Sequence, residues 1–210
     1  MSYPLNEFFR REVAERCAAF PRQVPVGDVA GLKQAAVALV LVEAKDDPGE
    51  AAFLLTRRPQ TLRAHSGQYA LPGGRCDPGE TVTQTALRET EEELGLALPP
   101  ENVLGMLDDF VTRSGYMIAP VVVWAGAGLT LTPNPDEIAH VFRIRIADIM
   151  RPNSFGFQES EATGRQEIHA LINDDQVYAP TAAMIFQFRE VLAGRATRVA
   201  DLEQPLFAWR

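Results

Sequence analysis

Gly74 to Leu96 reads GRCDPGETVTQTALRETEEELGL, and the interpretation of this stretch decides the fold. A glycine-rich turn leads into a segment with no Pro or Gly between Thr81 and Leu94, made largely of good helix formers. Thr81 with Gln84 three residues later has the pattern of a capping box, so a helix is expected to start there, and Gly95 is its stop. Placed at about 100° per residue from Val82, residues Ala86, Thr90, Leu94 and Leu87 fall at roughly 40° to 140°, one apolar stripe. Glu93 and Glu89 fall at about +20° and −20°, and Glu92 at about −80°, along one border of that stripe. Glu91 lies near 180°, away from the other three. Like charges at i, i+3 and i+4 repel unless a cation sits between them. A cluster of hard oxygen ligands suits Mg²⁺ or Mn²⁺. A solvated acidic helix face would have the same composition, and only the wider spacing separates the two readings.

That spacing runs Gly74, five residues, Glu80, seven residues, Arg88-Glu89, then Glu92-Glu93 and Gly95-Leu96. It resembles the Nudix box, G-x5-E-x7-R-E-U-x-E-E-x-G-U, with one departure, Thr90 in place of an aliphatic residue. Thr90 lies on the apolar stripe, so the departure bears on packing rather than chemistry. The resemblance implies an α+β fold, an α/β/α sandwich with a mixed sheet. It also implies hydrolysis of the pyrophosphate bond of a nucleoside diphosphate linked to another group. A divalent cation, Mg²⁺ or Mn²⁺, would neutralise the phosphates and position water, with no covalent intermediate.

On this reading Glu89 and Glu93 are the first metal ligands, and Glu92 is a third ligand or the general base. Gly73 and Gly74 let the backbone approach metal or phosphate, since no Cβ intervenes. Arg88, four residues before Glu92, is expected to hold it in place. Glu137 is a further acid or base candidate, because Nudix enzymes often bring one carboxylate from a loop outside the box. His65 is a candidate substrate contact; His140 and His169 have no metal spacing.

Leu54-Leu55-Thr56-Arg57-Arg58, Arg63, Gly67 and Leu71-Pro72-Gly73-Gly74 resemble the signature that precedes the box in coenzyme A pyrophosphatases, LLTxRSx3Rx3Gx3FPGG. Pro59 stands where the pattern has Ser, and Leu71 where it has Phe. The resemblance implies a coenzyme A substrate, with Arg58 and Arg63 as its anion contacts. Strand alternation sends Arg57 and Arg58 to opposite faces, so at most one can enter the cleft from that strand. Other nucleotide-type small molecules (ADP-ribose, a dinucleotide, an oxidised nucleotide) remain alternatives, as does a non-catalytic binding module.

The chain's 210 residues suit one α/β domain, and 46% apolar with 23% charged residues is ordinary for a globule. A net charge of −8 argues against a general nucleic-acid partner, and no run approaches a membrane span. Cys17 and Cys76 have no ligand partners at metal spacing and read as free thiols in a reducing cytoplasm. The expected organisation is a helical leader over 1–30, one domain over 31–193 and a tail over 194–210. Residues 6–20 read as an amphipathic helix with Phe9, Val13 and Cys17 on one side; 34–44 and 51–56 form a hairpin. Strands follow at 103–109, 117–124, 138–146 and 166–171, a polar loop at 152–164 and a helix at 180–193. The apolar leader face, with Phe207 and Trp209 in the tail, predicts a homodimer; docking within the chain explains the same residues.

Overall fold

An uninterrupted apolar run needs cover on both faces of its strand, and Ala35–Val42 receives it. The computed structural model describes residues 2–25, 31–60, 67–203 and 205. Helix α1 (Glu7–Ala19) precedes β1 (Lys33–Glu43), β2 (Ala51–Arg57), β3 (Tyr69–Ala70) and β4 (Gly73–Arg75). Helix α2 (Val82–Leu94) leads to β5 (Val103–Met106), β6 (Phe110–Val111), β7 (Tyr116–Gly126) and β8 (His140–Arg145). A short helix α3 (Ile146–Ile149), β9 (Phe155–Glu159), β10 (Gln166–Ile172), β11 (Asp175–Tyr178) and α4 (Thr181–Leu192) follow.

β1 is the centre of a mixed sheet. It pairs antiparallel with β2 (Leu41 opposite Phe53) and with β4 (Ala36 opposite Gly74), and in parallel with β7 (Val40 opposite Val123). β5 and β6 add to β7, while β3 and β8 add to β2. The two-residue side-chain period divides β1 between two cores. Leu39 and Leu41 join Phe9, Val13, Met184 and Phe188 of α1 and α4. Ala36, Ala38, Val40 and Val42 join Ala86, Leu87 and Leu94 of α2. The sheet is therefore layered between helices, the α/β/α arrangement that the resemblance implied.

The leader helix buries Phe9, Val13 and Cys17 as its periodicity predicted, and Asn6 caps it by accepting from the Phe9 amide at 2.9 Å. This apolar face is occupied within the chain, which removes it as a motive for a subunit contact. Burial pushes the Cys17 thiol up to about 12, so it is an inert packing group. The segment after α4 docks as well. Arg198 holds both carboxylate oxygens of Asp108 at 2.9 Å, and Arg195 holds Glu190. Phe207 and Trp209 lie outside the described residues.

The expected loop over 152–164 contains β9, and residues 175–178 form β11, which periodicity did not assign. These strands bury one apolar face, against α4, through Phe155, Ile168, Ala170, Ile172 and Val177. Gln158, Glu159, Asp175 and Gln176 occupy exposed positions and give the segments a loop-like composition. The hairpin signal was present in Asn173-Asp174: both residues have positive φ, 50° and 65°, as a two-residue turn requires.

Candidate active site

The α2 helix begins and ends as its capping residues dictate. Thr81 and Gln84 form the reciprocal capping box, and Gly95 takes left-handed backbone at φ 65°. A Cβ at Gly95 would also collide with the Thr132 hydroxyl, so space and conformation both require glycine. Thr90, the departure from the box, is fully buried and donates its hydroxyl to the Ala86 carbonyl at 2.7 Å. One buried hydroxyl is thereby satisfied inside the helix.

Arg88 organises the acidic residues around it. Its Nε donates to Glu80 Oε1 at 2.8 Å, and Nη2 donates to Glu80 Oε2 and to the Arg75 carbonyl, both at 3.1 Å. Nη1 donates to Glu89 Oε1 at 2.9 Å and to Glu92 Oε2 at 2.8 Å. The predicted Arg88–Glu92 contact exists, but Glu80 is the two-pronged partner, a role that sequence reasoning missed. Its signal was the fixed acidic position of the box itself. Arg88 foremost, then the Asp77 amide, holds the Glu80 carboxyl down to about 2. Glu80 also accepts from the Thr85 hydroxyl at 2.9 Å and so fixes the turn that enters the helix.

Glu93 faces inward and is 3% exposed, with Oε2 accepting from the Gly73 amide at 3.3 Å. Burial first, then the fields of Glu89 and Glu137, push its carboxyl up to about 8 against the opposing Gly73 amide and Arg58. Burial likewise raises Glu89, opposed by Arg88 and assisted by Glu92 and Glu137. Gly74 packs directly on Glu89, and a Cβ there would collide with its carboxylate. Gly73, at φ 156°, has no room for a Cβ against Ala36 and Val37.

Glu137 reaches the cluster because its loop is tied to the end of α2. The amides of Asn134 and Thr132 donate to the Glu93 and Leu94 carbonyls, both at 2.9 Å. The Asn134 side-chain amide donates to Glu137 Oε1 at 3.3 Å. This tether satisfies carbonyls that a helix end otherwise leaves open, and sequence reasoning did not see it.

The Glu92 side chain is 57% exposed and paired with Arg88 at the rim of the cluster. Among the described residues no three Asp, Glu, His or Cys side chains converge on one point. Arg88 Nη1 fills the gap between Glu89 and Glu92, where a cation would otherwise balance the repulsion. The residues still fit a divalent ion. Glu89 supplies hard oxygens against the Cβ-less backbone of Gly74, and Glu93 lies beside the Gly73 amide, so two carboxylates one helical turn apart face the glycine turn.

Arg58 lines a cavity of about 330 Å³ that also touches Gly73, Gly74 and Arg75, and its Nε is buried with no hydrogen-bond partner. Arg57 lines a second cavity that adjoins this one, so both arginines border the cleft. Arg63 and His65 lie outside the described residues. His140 is exposed on β8, and His169 is half-buried on β10.

A NUDIX domain model matches residues 32–185. A Nudix hydrolase NudL of Pectobacterium atrosepticum, itself named as uncharacterised, is 39% identical over 203 residues, 92% of this chain and 97% of that protein. The mitochondrial coenzyme A diphosphatase NUDT8 of Homo sapiens is 38% identical over 143 residues, 65% of this chain and 60% of that protein. A MutT/nudix family crystal structure from Enterococcus faecalis shares the fold at a TM-score of 0.51 and 17% identity, over 90% of this chain and 79% of that one. The chain belongs to the Nudix family of hydrolases.

Proposed function

We propose that the enzyme hydrolyses the pyrophosphate bond of coenzyme A or an acyl-coenzyme A, giving 3′,5′-ADP and 4′-phosphopantetheine or its acyl form. The observation that carries this reading is Arg58, whose guanidinium lines the cleft beside Gly73 and Gly74 with Nε unpaired. A buried donor without a partner is costly, and a phosphate oxygen satisfies it in the forked geometry that arginine favours. The similarity to NUDT8 and the signature from Leu54 to Gly74 support the same substrate.

Nudix hydrolases generally use a divalent metal such as Mg²⁺ or Mn²⁺. Here Glu89 and Glu93 would hold it beside the Gly74 backbone, where it supplies charge neutralisation of the phosphate oxygens. The Arg88 fork positions Glu89 and Glu92. Glu137, held by Asn134 and within the field of Glu89 and Glu93, takes the proton of the attacking water in this scheme. Glu92, at the exposed rim, completes the ligand set or replaces Glu137 as base, and separate Gln variants at 92 and 137 distinguish the two by their pH profiles.

The substrate reading is tested by turnover of coenzyme A against dephospho-coenzyme A and ADP-ribose, with product identification. Coenzyme A carries one more dianion than dephospho-coenzyme A, and Arg63 is assigned to that group. Arg63→Ala is therefore expected to raise KM for coenzyme A about tenfold while leaving the dephospho form nearly unchanged. Faster turnover of ADP-ribose, with equal turnover of the two coenzyme forms, refutes the substrate and leaves only the family.

A further inference from the structure

Two cavities meet in the cleft and share Gln68, Tyr69, Pro180 and Thr181 as the ridge between them. The first, of about 330 Å³, runs from Gly73 and Gly74 past Arg58 and Arg75 to Tyr116. Lys33 Nζ lies 5.6 Å over the Tyr116 ring, and no carboxylate is among the described residues lining this cavity. The second, of about 320 Å³, lies between the end of β2 and β11, against Arg57, Tyr69, Asp175, Gln176 and Tyr178.

Their electrostatics differ. In the second cavity Arg57 is engaged: Nε donates to the Gly67 carbonyl at 3.1 Å and the guanidinium lies 5.5 Å over the Tyr69 ring. The Tyr69 hydroxyl donates to Asp175 Oδ2 at 2.6 Å, which joins β3 to β11 and brings a carboxylate to the cavity wall. One stacked cation beside one carboxylate leaves no net attraction for a dianion. What remains is two tyrosine rings, the side-chain amide of Gln176, whose Oε1 accepts from the Tyr178 hydroxyl at 2.5 Å, and a carboxylate acceptor. Those groups suit a neutral chain that both donates and accepts hydrogen bonds.

We infer, resting on the coenzyme A reading above, that the anionic 3′,5′-ADP half occupies the Arg58–Arg75 cavity. The neutral pantetheine arm then crosses the Tyr69–Pro180 ridge into the cavity of Arg57, Asp175 and Tyr178. The pyrophosphate lies at Gly73 and Gly74, where the first cavity adjoins Glu89 and Glu93. Pantetheine carries two amides and a hydroxyl, which match the Gln176 side-chain amide and the Asp175 carboxylate.

The test is product inhibition, read after wild-type turnover of coenzyme A. Gln176→Ala and Tyr178→Ala are expected to weaken inhibition by 4′-phosphopantetheine about tenfold and to leave inhibition by 3′,5′-ADP within about twofold. Arg75→Ala gives the reverse. Gln176 is exposed, so its variant tests the cavity even if Tyr178→Ala fails to fold. The assignment is overturned if Gln176→Ala weakens 3′,5′-ADP instead, or if neither product is affected. Turnover of coenzyme A with either of those results removes the cavity assignment alone. No turnover of coenzyme A with turnover of ADP-ribose removes the substrate reading as well.

Discussion

Glu93→Gln separates the electrostatics of the cluster from its catalysis. In the metal-free protein the Glu93 carboxyl sits at about 8, against the ordinary 4.5. A folded-state value above the unfolded one means that the folded protein holds this proton more tightly. The associated stability is complete below about pH 4.5, declines as pH rises, and is gone above about pH 8. Between pH 4 and 7 the loss is about 3 kcal/mol. Glu93 is 3% exposed, so solvent screening takes little from this figure. For a chain of 210 residues the loss corresponds to a fall of roughly 7 °C in Tm. Gln cannot ionise and keeps an acceptor for the Gly73 amide. The assay is thermal or urea unfolding in EDTA from pH 5 to 8, comparing wild type with Glu93→Gln. The two curves converge at low pH and separate toward pH 8, with the variant the more stable. Mg²⁺ then stabilises the wild type more at pH 8 than at pH 6 and has little effect on the variant, because the metal replaces the proton. Parallel curves across this range refute the placement of Glu93 in a buried, charge-crowded site.

Other outcomes follow from the same geometry. Glu93→Gln is expected to lose roughly a thousandfold in kcat, about 4 kcal/mol of transition-state stabilisation, without unfolding. Glu91→Gln, pointing away from the cluster, leaves steady-state rates within about twofold, and an equal loss at both positions would refute the helical phase. Gly74→Ala places a Cβ on the Glu89 carboxylate and is expected to weaken metal affinity in calorimetric titration by about tenfold or more. Arg88→Lys replaces a fork by a single point and frees the Glu80 carboxyl to rise from about 2 toward 4.5. Metal affinity falls about tenfold, and the acid limb of the rate profile moves to higher pH.

The sequence by itself determined what depends on near neighbours. The ends of α2 followed from Thr81, Gln84 and Gly95, because capping is settled within a single turn of chain. The inward direction of Glu89 and Glu93, the buried face of α1 and the β1–β2 hairpin followed from periods of 3.6 and 2, which any local segment displays. The tertiary structure alone decided which groups meet from distant segments. Glu80 receives the Arg88 fork because the 75–80 turn folds back along α2, and Glu137 enters the field of Glu93 because Asn134 and Thr132 close on the last carbonyls of the helix. β9 and β11 escaped notice because half-buried strands with polar outer faces have a loop's composition until α4 covers their inner one. Long-range closure selects among locally acceptable arrangements, and in this chain it made the ridge at Tyr69 and the two cavities on either side.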